Sequence, residues 1–198
     1  QSEIGLILSI GGIVGLIGQM PGGAIIDAAR SERLVAGLAV ATIGVSALAY
    51  AAWPIFPVVA LAAILHAAAS CVLGPVIAAI SLGLVGPRAI GERLGRNARF
   101  ASLGNGVAAG VMGVVGYLLS SRAVFVVSFA FAVATLLALA RIRDREIDPE
   151  QAHGAVARTE PDPDATSVLH LLHRRPLVVF ACTVFLLQFA NAAMLPLM

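Results

Sequence analysis

Few side chains in this sequence could do chemistry, and most of them are isolated in apolar surroundings. His66 lies within an uncharged run, where an imidazole can bind a ligand or exchange a proton near neutral pH. Gln188 and Asn191 lie in a later apolar run and are candidates for the lining of a polar cavity. For each of the three, a hydrogen bond between packed helices is the alternative role.

A second set of polar residues follows the first apolar run, in the stretch PGGAIIDAARSER. Gly22 and Gly23 lack a Cβ atom and would let a neighbouring helix approach closely. Asp27 comes next, and a carboxylate at this place can accept hydrogen bonds from the N-terminus of a facing helix and complement its dipole. Arg30 and Arg33 add positive charge after it. The alternative is that Asp27 only marks the boundary between apolar and aqueous surroundings.

Combinations of residues that would indicate catalysis or cofactor binding do not occur in the sequence. His170 and His173 are three residues apart, but no cysteine or carboxylate joins them to complete a metal site. The glycines at 104, 106 and 110 superficially resemble a dinucleotide-binding loop, but polar and basic residues precede them rather than a buried strand. Cys71 and Cys182 lie in apolar runs and form no motif. We therefore expect no enzyme, no metal ion and no cofactor.

The composition indicates which elements must position these residues. Hydrophobic residues make up 59% of the chain and charged residues 12%, and the mean hydropathy is +0.94, whereas soluble domains have roughly 25% charged residues. Apolar segments of the length that crosses a bilayer, about 17–25 residues, occur at 4–26, 34–52, 57–81, 100–119, 123–140 and 177–197. The sequence predicts an all-α, polytopic transmembrane helical bundle embedded in the lipid bilayer.

The basic residues are distributed unevenly between the connections. All thirteen are arginines. If the spans alternate in direction, twelve lie in the connections 27–33, 86–99 and 141–175, and only Arg122 lies on the opposite side. Cytoplasmic loops have such an excess of positive charge, so we predict that these three connections are cytoplasmic loops of a protein in a bacterial inner (plasma) membrane. The arginine excess is then topological, and we expect no nucleic-acid partner.

Three arginines of the 86–99 connection, Arg93, Arg96 and Arg99, allow three interpretations. Together with Asn97, they could pair with Asp27 or with acids of the later connection. They could also bind anionic lipid, or they could act only as a topogenic cluster of charge.

The connection at 141–176 is the longest one and divides the chain. It is rich in Pro, Asp, Glu and Arg, as is typical of a solvated linker, and its last part, SVLHLLHRRP, predicts a short interfacial helix. We expect five spans of one bundle in residues 1–140, a cytoplasmic linker at 141–176, and the first span of a second bundle in 177–198. The chain begins without an initiator Met and ends inside an apolar run, so we also expect an excerpt of a larger protein.

Proline and glycine indicate special packing in two spans. Pro75 cannot donate a hydrogen bond to the carbonyl of Cys71, so a kink is expected there. Gly106, Gly110 and Gly113 follow i, i+4, i+7 spacing, which predicts one smooth helix face for close packing.

The segment Gly23-Ala-Ile-Ile-Asp27, followed by basic residues, resembles the signature loop between helices two and three of the major facilitator superfamily. On that resemblance the first span is helix two, helix one is missing, and the last span is helix seven. The family pattern has a basic residue in place of Ala28 and a glycine in place of Arg30, so the roles of individual arginines do not carry over. Proton-coupled exporters of the family have a glycine-rich motif with a proline, and Val111 does not satisfy it.

The resemblance implies a secondary transporter that moves a small solute by rocking two bundles about a midplane site. Gly23 and Asp27, with Arg30 and Arg33 beside them, would form a latch that closes the cytoplasmic side. Proton-coupled efflux by a functional monomer is the expected mode, with the solute and protons as partners, and His66 is the one candidate for proton exchange in these spans. A facilitated or uptake transporter, and a non-transporting membrane scaffold or sensor, are the alternatives.

Overall fold

The structure, a computed structural model, describes residues 5, 9–15, 17–18, 26, 29, 31–152, 178–179 and 182–183. The chain divides into two compact units, Gln1–Val156 and Ala157–Met198. Within the second unit, residues 178–179 and 182–183 are helical, and the Thr183 hydroxyl donates to the Val179 carbonyl at 2.8 Å. All other observations below concern the first unit.

Three long helices form the described part of the first unit. Helix α1 spans Glu32–Ala52, α2 spans Phe56–Leu118 and α3 spans Ser121–Ala140. A single 3-10 turn at Asp144–Glu146 and a short helix α4 at Pro149–Ala152 follow. The long helices are apolar and long enough to cross a membrane, and they contain four of the six predicted spans. The first and sixth predicted spans lie mostly outside the described residues, although residues 9–15 and 17–18 are helical.

Serine residues set the starts of α1 and α3. The Ser31 hydroxyl accepts a hydrogen bond from the Leu34 amide at 3.3 Å, and the Ser120 hydroxyl accepts one from the Ala123 amide at 3.2 Å. Such side-chain oxygens satisfy amide groups that have no partner within the first turn of a helix.

The prediction that residues 86–99 form a loop is wrong, because residues 87–99 are helical. Two predicted spans are joined within α2, and the interruption between them is confined to Gly86, with φ 73° and ψ 173°. Glycine tolerates this positive φ, and Pro87 needs no hydrogen-bond acceptor for its ring nitrogen and so can begin the next helical turn. Pro75 has helical dihedral angles, which are compatible with a proline bend, so the kink expected there stays a prediction.

Contacts at the two ends of the helices show that α1 and α3 run in opposite directions. Near one end, the rings of Tyr50 and Phe125 lie 5.3 Å apart. At the other end, Arg33 contacts Asp144. Between these ends the helices come close at Gly44, where a Cβ atom would lie 2.9 Å from that of Ala132. Small residues allow this approach of backbones in membrane helices.

One cluster of buried apolar side chains lies toward the end of the bundle that contains Arg33 and Asp144. Its buried members are Ile26, Ala36, Val76, Ile80, Ile147 and Ala152. Elsewhere large apolar side chains are exposed, such as Leu38 at 62% and Leu103 at 66%. Exposed apolar side chains on long apolar helices are expected where lipid is the solvent.

Candidate functional site

The described parts of the three predicted arginine-rich connections meet at one end of the helices. We call this region the end cluster and define it by Arg33, Gly83, Gly86, Asp144 and Asp148. It brings together the start of α1, the interruption in α2 and the segment after α3.

Arg33 joins the start of α1 to the segment after α3. Its Nε lies 3.2 Å from Oδ1 of Asp144, and its Nη1 donates to the Ile142 carbonyl at 2.5 Å. Ile142 follows the C-terminus of α3, where the helix dipole favours a positive charge. The Ser31 hydroxyl, which caps α1, also donates to Oδ1 of Asp144 at 3.4 Å. One carboxylate therefore contacts two residues at the beginning of α1.

The second junction of the end cluster connects the same segment to α2. The Asp148 amide donates to the Gly83 carbonyl at 3.1 Å. A Cβ atom on Gly83 would lie 2.7 Å from Cγ2 of Ile147 and 3.2 Å from Cβ of Ala152. Glycine at 83 therefore provides the space into which Ile147 and Ala152 pack.

Gln151 completes this junction over the interruption in α2. Its Nε2 donates to Oδ2 of Asp148 at 2.7 Å, and its Oε1 lies 2.8 Å from the position that a Cβ atom on Gly86 would occupy. A Cβ atom at position 86 is therefore disfavoured for two reasons, the positive φ and the close neighbour.

The first part of the segment predicted as a solvated linker, residues 141–152, is not fully solvated. Ile147 and Ala152 are only 6% and 8% exposed, so the beginning of this segment is packed on α2. The sequence signal was present but weak: Ile147 is a bulky apolar residue within the charged stretch RDREIDPEQA, and two glycines lie near the end of the third predicted span. The predicted interfacial helix in SVLHLLHRRP lies outside the described residues.

Asn97 links the two parts of α2 on either side of Gly86. Its Nδ2 donates to Oγ of Ser81 at 3.0 Å, and Ser81 is 3% exposed. The sequence pattern places Asn97 in a cluster of arginines but does not indicate Ser81 as its partner. Arg93 and Arg96 lie on the same helical stretch and line a small cavity.

Of the four predicted latch residues, only Arg33 lies in the described part of the chain. Gly23, Asp27 and Arg30 lie outside it. The described acidic partner of Arg33 is Asp144, which sequence analysis did not predict.

The candidates for a solute cavity are only partly described. His66 is half-buried within α2, and its Nδ1 is buried without a hydrogen-bond partner among the described residues. Its carbonyl accepts from the Ser70 hydroxyl at 2.8 Å. Gln188 and Asn191 lie outside the described residues.

The predicted glycine packing face has no neighbour in the described part of the chain. Gly106, Gly110 and Gly113 are exposed, and a Cβ atom added to any of them would meet nothing within 4 Å.

Comparisons with known proteins cover the whole chain, including the residues that the structure does not describe. The family model of the Major Facilitator Superfamily matches residues 1–198. Uncharacterized MFS-type transporters from two strains of Mycobacterium tuberculosis are each 38% identical to the chain over 203 residues, which is 100% of the chain and 47% of each relative. The chain thus spans about half the length of the curated relatives it matches. No solved structure matches it significantly.

Proposed function

Because this chain belongs to the Major Facilitator Superfamily, we propose that the protein is a secondary transporter that moves a small solute across a membrane by alternating access. The long helices support this proposal, since residues 34–81 and 100–121 contain no Asp, Glu, Lys or Arg. An apolar wall of this kind separates two aqueous compartments. The polar contacts are concentrated at one end of the helices, where a gate would act.

The end cluster is the observation on which the mechanism rests. The side chains of Arg33 and Asp144 are 33% and 61% exposed, and exposed ion pairs stabilise a fold by only about 0–1 kcal/mol. A weak pair of this kind can break and reform during a conformational cycle. The apolar packing of Ile147 and Ala152 on Gly83 is the more permanent contact and holds the segment in place.

The proposed latch consists of Gly23, Asp27, Arg30 and Arg33, with Asp144 added as the partner of Arg33. Asp27 acts as the acceptor for a facing helix N-terminus when the gate closes at the arginine-rich end, which is the cytoplasmic end in this proposal. When the gate opens, the exposed pair of Arg33 and Asp144 breaks, while the packing of Ile147 and Ala152 on Gly83 holds the segment after α3 in place.

Proton-coupled efflux by a monomer in the bacterial inner membrane is the proposed mode. Proton coupling requires a group that titrates within the membrane. His66 is proposed for that role or for solute contact, because its Nδ1 is buried without a described partner. Gln188 and Asn191 are proposed to line the same cavity.

The test uses the whole protein in everted membrane vesicles with an imposed proton gradient and a pH-sensitive dye. A panel of cationic dyes, amino acids, sugars and organic acids is added to wild type, Asp27→Asn and His66→Gln. Ser70→Ala is the matched control for His66→Gln, because its hydroxyl bonds only within its own helix, to the His66 carbonyl.

We expect at least one solute to collapse the gradient with wild type and with Ser70→Ala, and much less with the other two variants. Equilibration of a labelled solute without proton movement would replace coupled efflux by facilitated transport. If wild type moves no solute of the panel in either direction, the scaffold or sensor alternative is favoured. Equal transport by wild type and Asp27→Asn would show that Asp27 is not part of a latch and only marks the membrane boundary.

A further inference from the structure

Residues 87–99 of α2 form a helix with one strongly basic face. At about 100° per residue, the arginines of this stretch fall within an arc of about 140°, and Glu92 lies on the same face. None of these arginines forms an ion pair with another described residue. The arginines are Arg88, Arg93, Arg96 and Arg99.

A cavity of about 130 Å³ opens on this face. It is lined by Val85, Ala89, Glu92, Arg93 and Arg96. The Nε of Arg93 is buried and has no hydrogen-bond partner among the described residues. A buried cationic donor without an acceptor is unfavourable, and the cavity is large enough for a phosphate group, which occupies the room of a few water molecules.

The position of the cavity along α2 indicates the level of the lipid headgroups. Residues 100–118 contain no charge and, at about 1.5 Å per residue, are about as long as the hydrocarbon core is thick, roughly 30 Å. For a helix along the membrane normal, Arg99 then lies at the edge of the hydrocarbon. Arg96 and Arg93 follow about 4 and 9 Å further out. The headgroup region is about 5–7 Å deep on each side, so the backbone of Arg96 lies within it and that of Arg93 lies about 2–4 Å beyond it, a distance that a long arginine side chain can span.

We propose that Arg93 and Arg96 bind the phosphodiester group of an anionic phospholipid in this cavity. Guanidinium groups match phosphate oxygens in geometry and charge, and both Arg93 and Arg96 line the cavity. Val85 and Ala89 provide an apolar wall for the glycerol end of the lipid. Glu92 lies in the same wall and weakens the attraction, so the lining has two positive charges against one negative charge.

The experiment measures phosphatidylglycerol binding to the whole protein, purified in a neutral detergent, by native mass spectrometry at increasing lipid concentration. Arg93→Gln is compared with Arg88→Gln, which removes the same charge from the same helix outside the cavity. We expect Arg93→Gln to weaken binding about fivefold, as for one arginine at an anionic surface. Arg88→Gln should change binding less than about twofold, because that arginine does not line the cavity.

Glu92→Gln tests the site with the opposite sign, which loss of folding cannot imitate. Removal of its negative charge should strengthen phosphatidylglycerol binding about fivefold, and an unchanged affinity would overturn the proposal. Equal weakening by Arg93→Gln and Arg88→Gln would also overturn it, since binding would then follow the charge of the whole face. Inorganic phosphate is added as a competitor at the same concentrations as the lipid. If it displaces the lipid, the ligand is a free phosphate and the lipid assignment is wrong.

Discussion

Nε of Arg33 and Oδ1 of Asp144 lie 3.2 Å apart, and this ion pair joins the start of α1 to the segment after α3. The same carboxylate oxygen accepts from the Ser31 hydroxyl. The two residues are more than a hundred positions apart in the chain, so the pair forms only when α1 and α3 lie side by side. It is therefore a sensitive position for testing how this end of the bundle works.

Asp144→Asn should lower the rate of solute transport clearly while changing the unfolding temperature little. The exposed pair contributes about 0–1 kcal/mol to stability, but its loss leaves Arg33 joined to the segment after α3 only by its hydrogen bond to the Ile142 carbonyl. Glu146→Gln is the matched control, because it removes an acidic charge from the same 3-10 turn and its carboxylate bonds locally, to the Arg143 amide. Thermal unfolding in detergent and solute uptake in vesicles measure the two effects. Equal transport by both variants would show that the pair has no part in the cycle.

Gly83→Ala should displace the segment that packs on α2. The new Cβ atom would lie 2.7 Å from Ile147 and 3.1 Å from the Asp148 carbonyl oxygen, and overpacking of this kind costs about 1–3 kcal/mol. Gly91→Ala is the control in the same helix, since a Cβ atom there meets nothing within 4 Å and alanine should stabilise the helix by about 0.5–1 kcal/mol. Unfolding temperatures of the two variants should therefore shift in opposite directions. A stabilised Gly83→Ala variant would contradict the packing described here.

Gly86→Ala should destabilise the protein because of its backbone conformation. Its φ of 73° and ψ of 173° lie in a region that essentially only glycine adopts, and a residue with a Cβ atom held there costs about 1–3 kcal/mol. The close neighbour, Oε1 of Gln151, is the end of a flexible side chain and can move. The double variant Gly86→Ala, Gln151→Ala separates the two effects. Its unfolding temperature should stay below that of Gln151→Ala alone, whereas recovery to that value would assign the cost to the contact.

Asn97→Ala should weaken the link across the interruption in α2. It leaves the buried hydroxyl of Ser81 without the amide that now donates to it at 3.0 Å, and a buried polar group without its partner costs about 1–3 kcal/mol. A double-mutant cycle with Ser81→Ala, followed by thermal unfolding, isolates the pair. Ser102→Ala is the control, since its exposed hydroxyl donates only to the Ala98 carbonyl one turn earlier and does not cross the interruption at Gly86. A coupling energy near zero would show that the two side chains do not depend on each other.

The class of the protein and the positions of most of its long apolar helices follow from the sequence alone. Apolar length is a local property, so the predicted spans 34–52 and 123–140 agree with α1 and α3 within a few residues. The predicted spans 57–81 and 100–119 both fall on α2, to within one residue, but α2 also includes the residues between them. The match to the Major Facilitator Superfamily confirms the family that the segment from Gly23 to Asp27 indicated. Local patterns were sufficient because lipid requires each span to satisfy its own backbone hydrogen bonds.

Which residues meet at the end cluster depends on how the helices pack against each other. The arginines of three connections were predicted on one side, but the charge pattern does not identify Asp144, rather than another acid, as the partner of Arg33. Composition also does not show that the Ile147 side chain is buried against Gly83. That contact exists only after α2 and the segment following α3 have packed together. Hydropathy is an average over consecutive residues. Ion pairs and close packing depend instead on the spatial distance between residues that are far apart in the sequence.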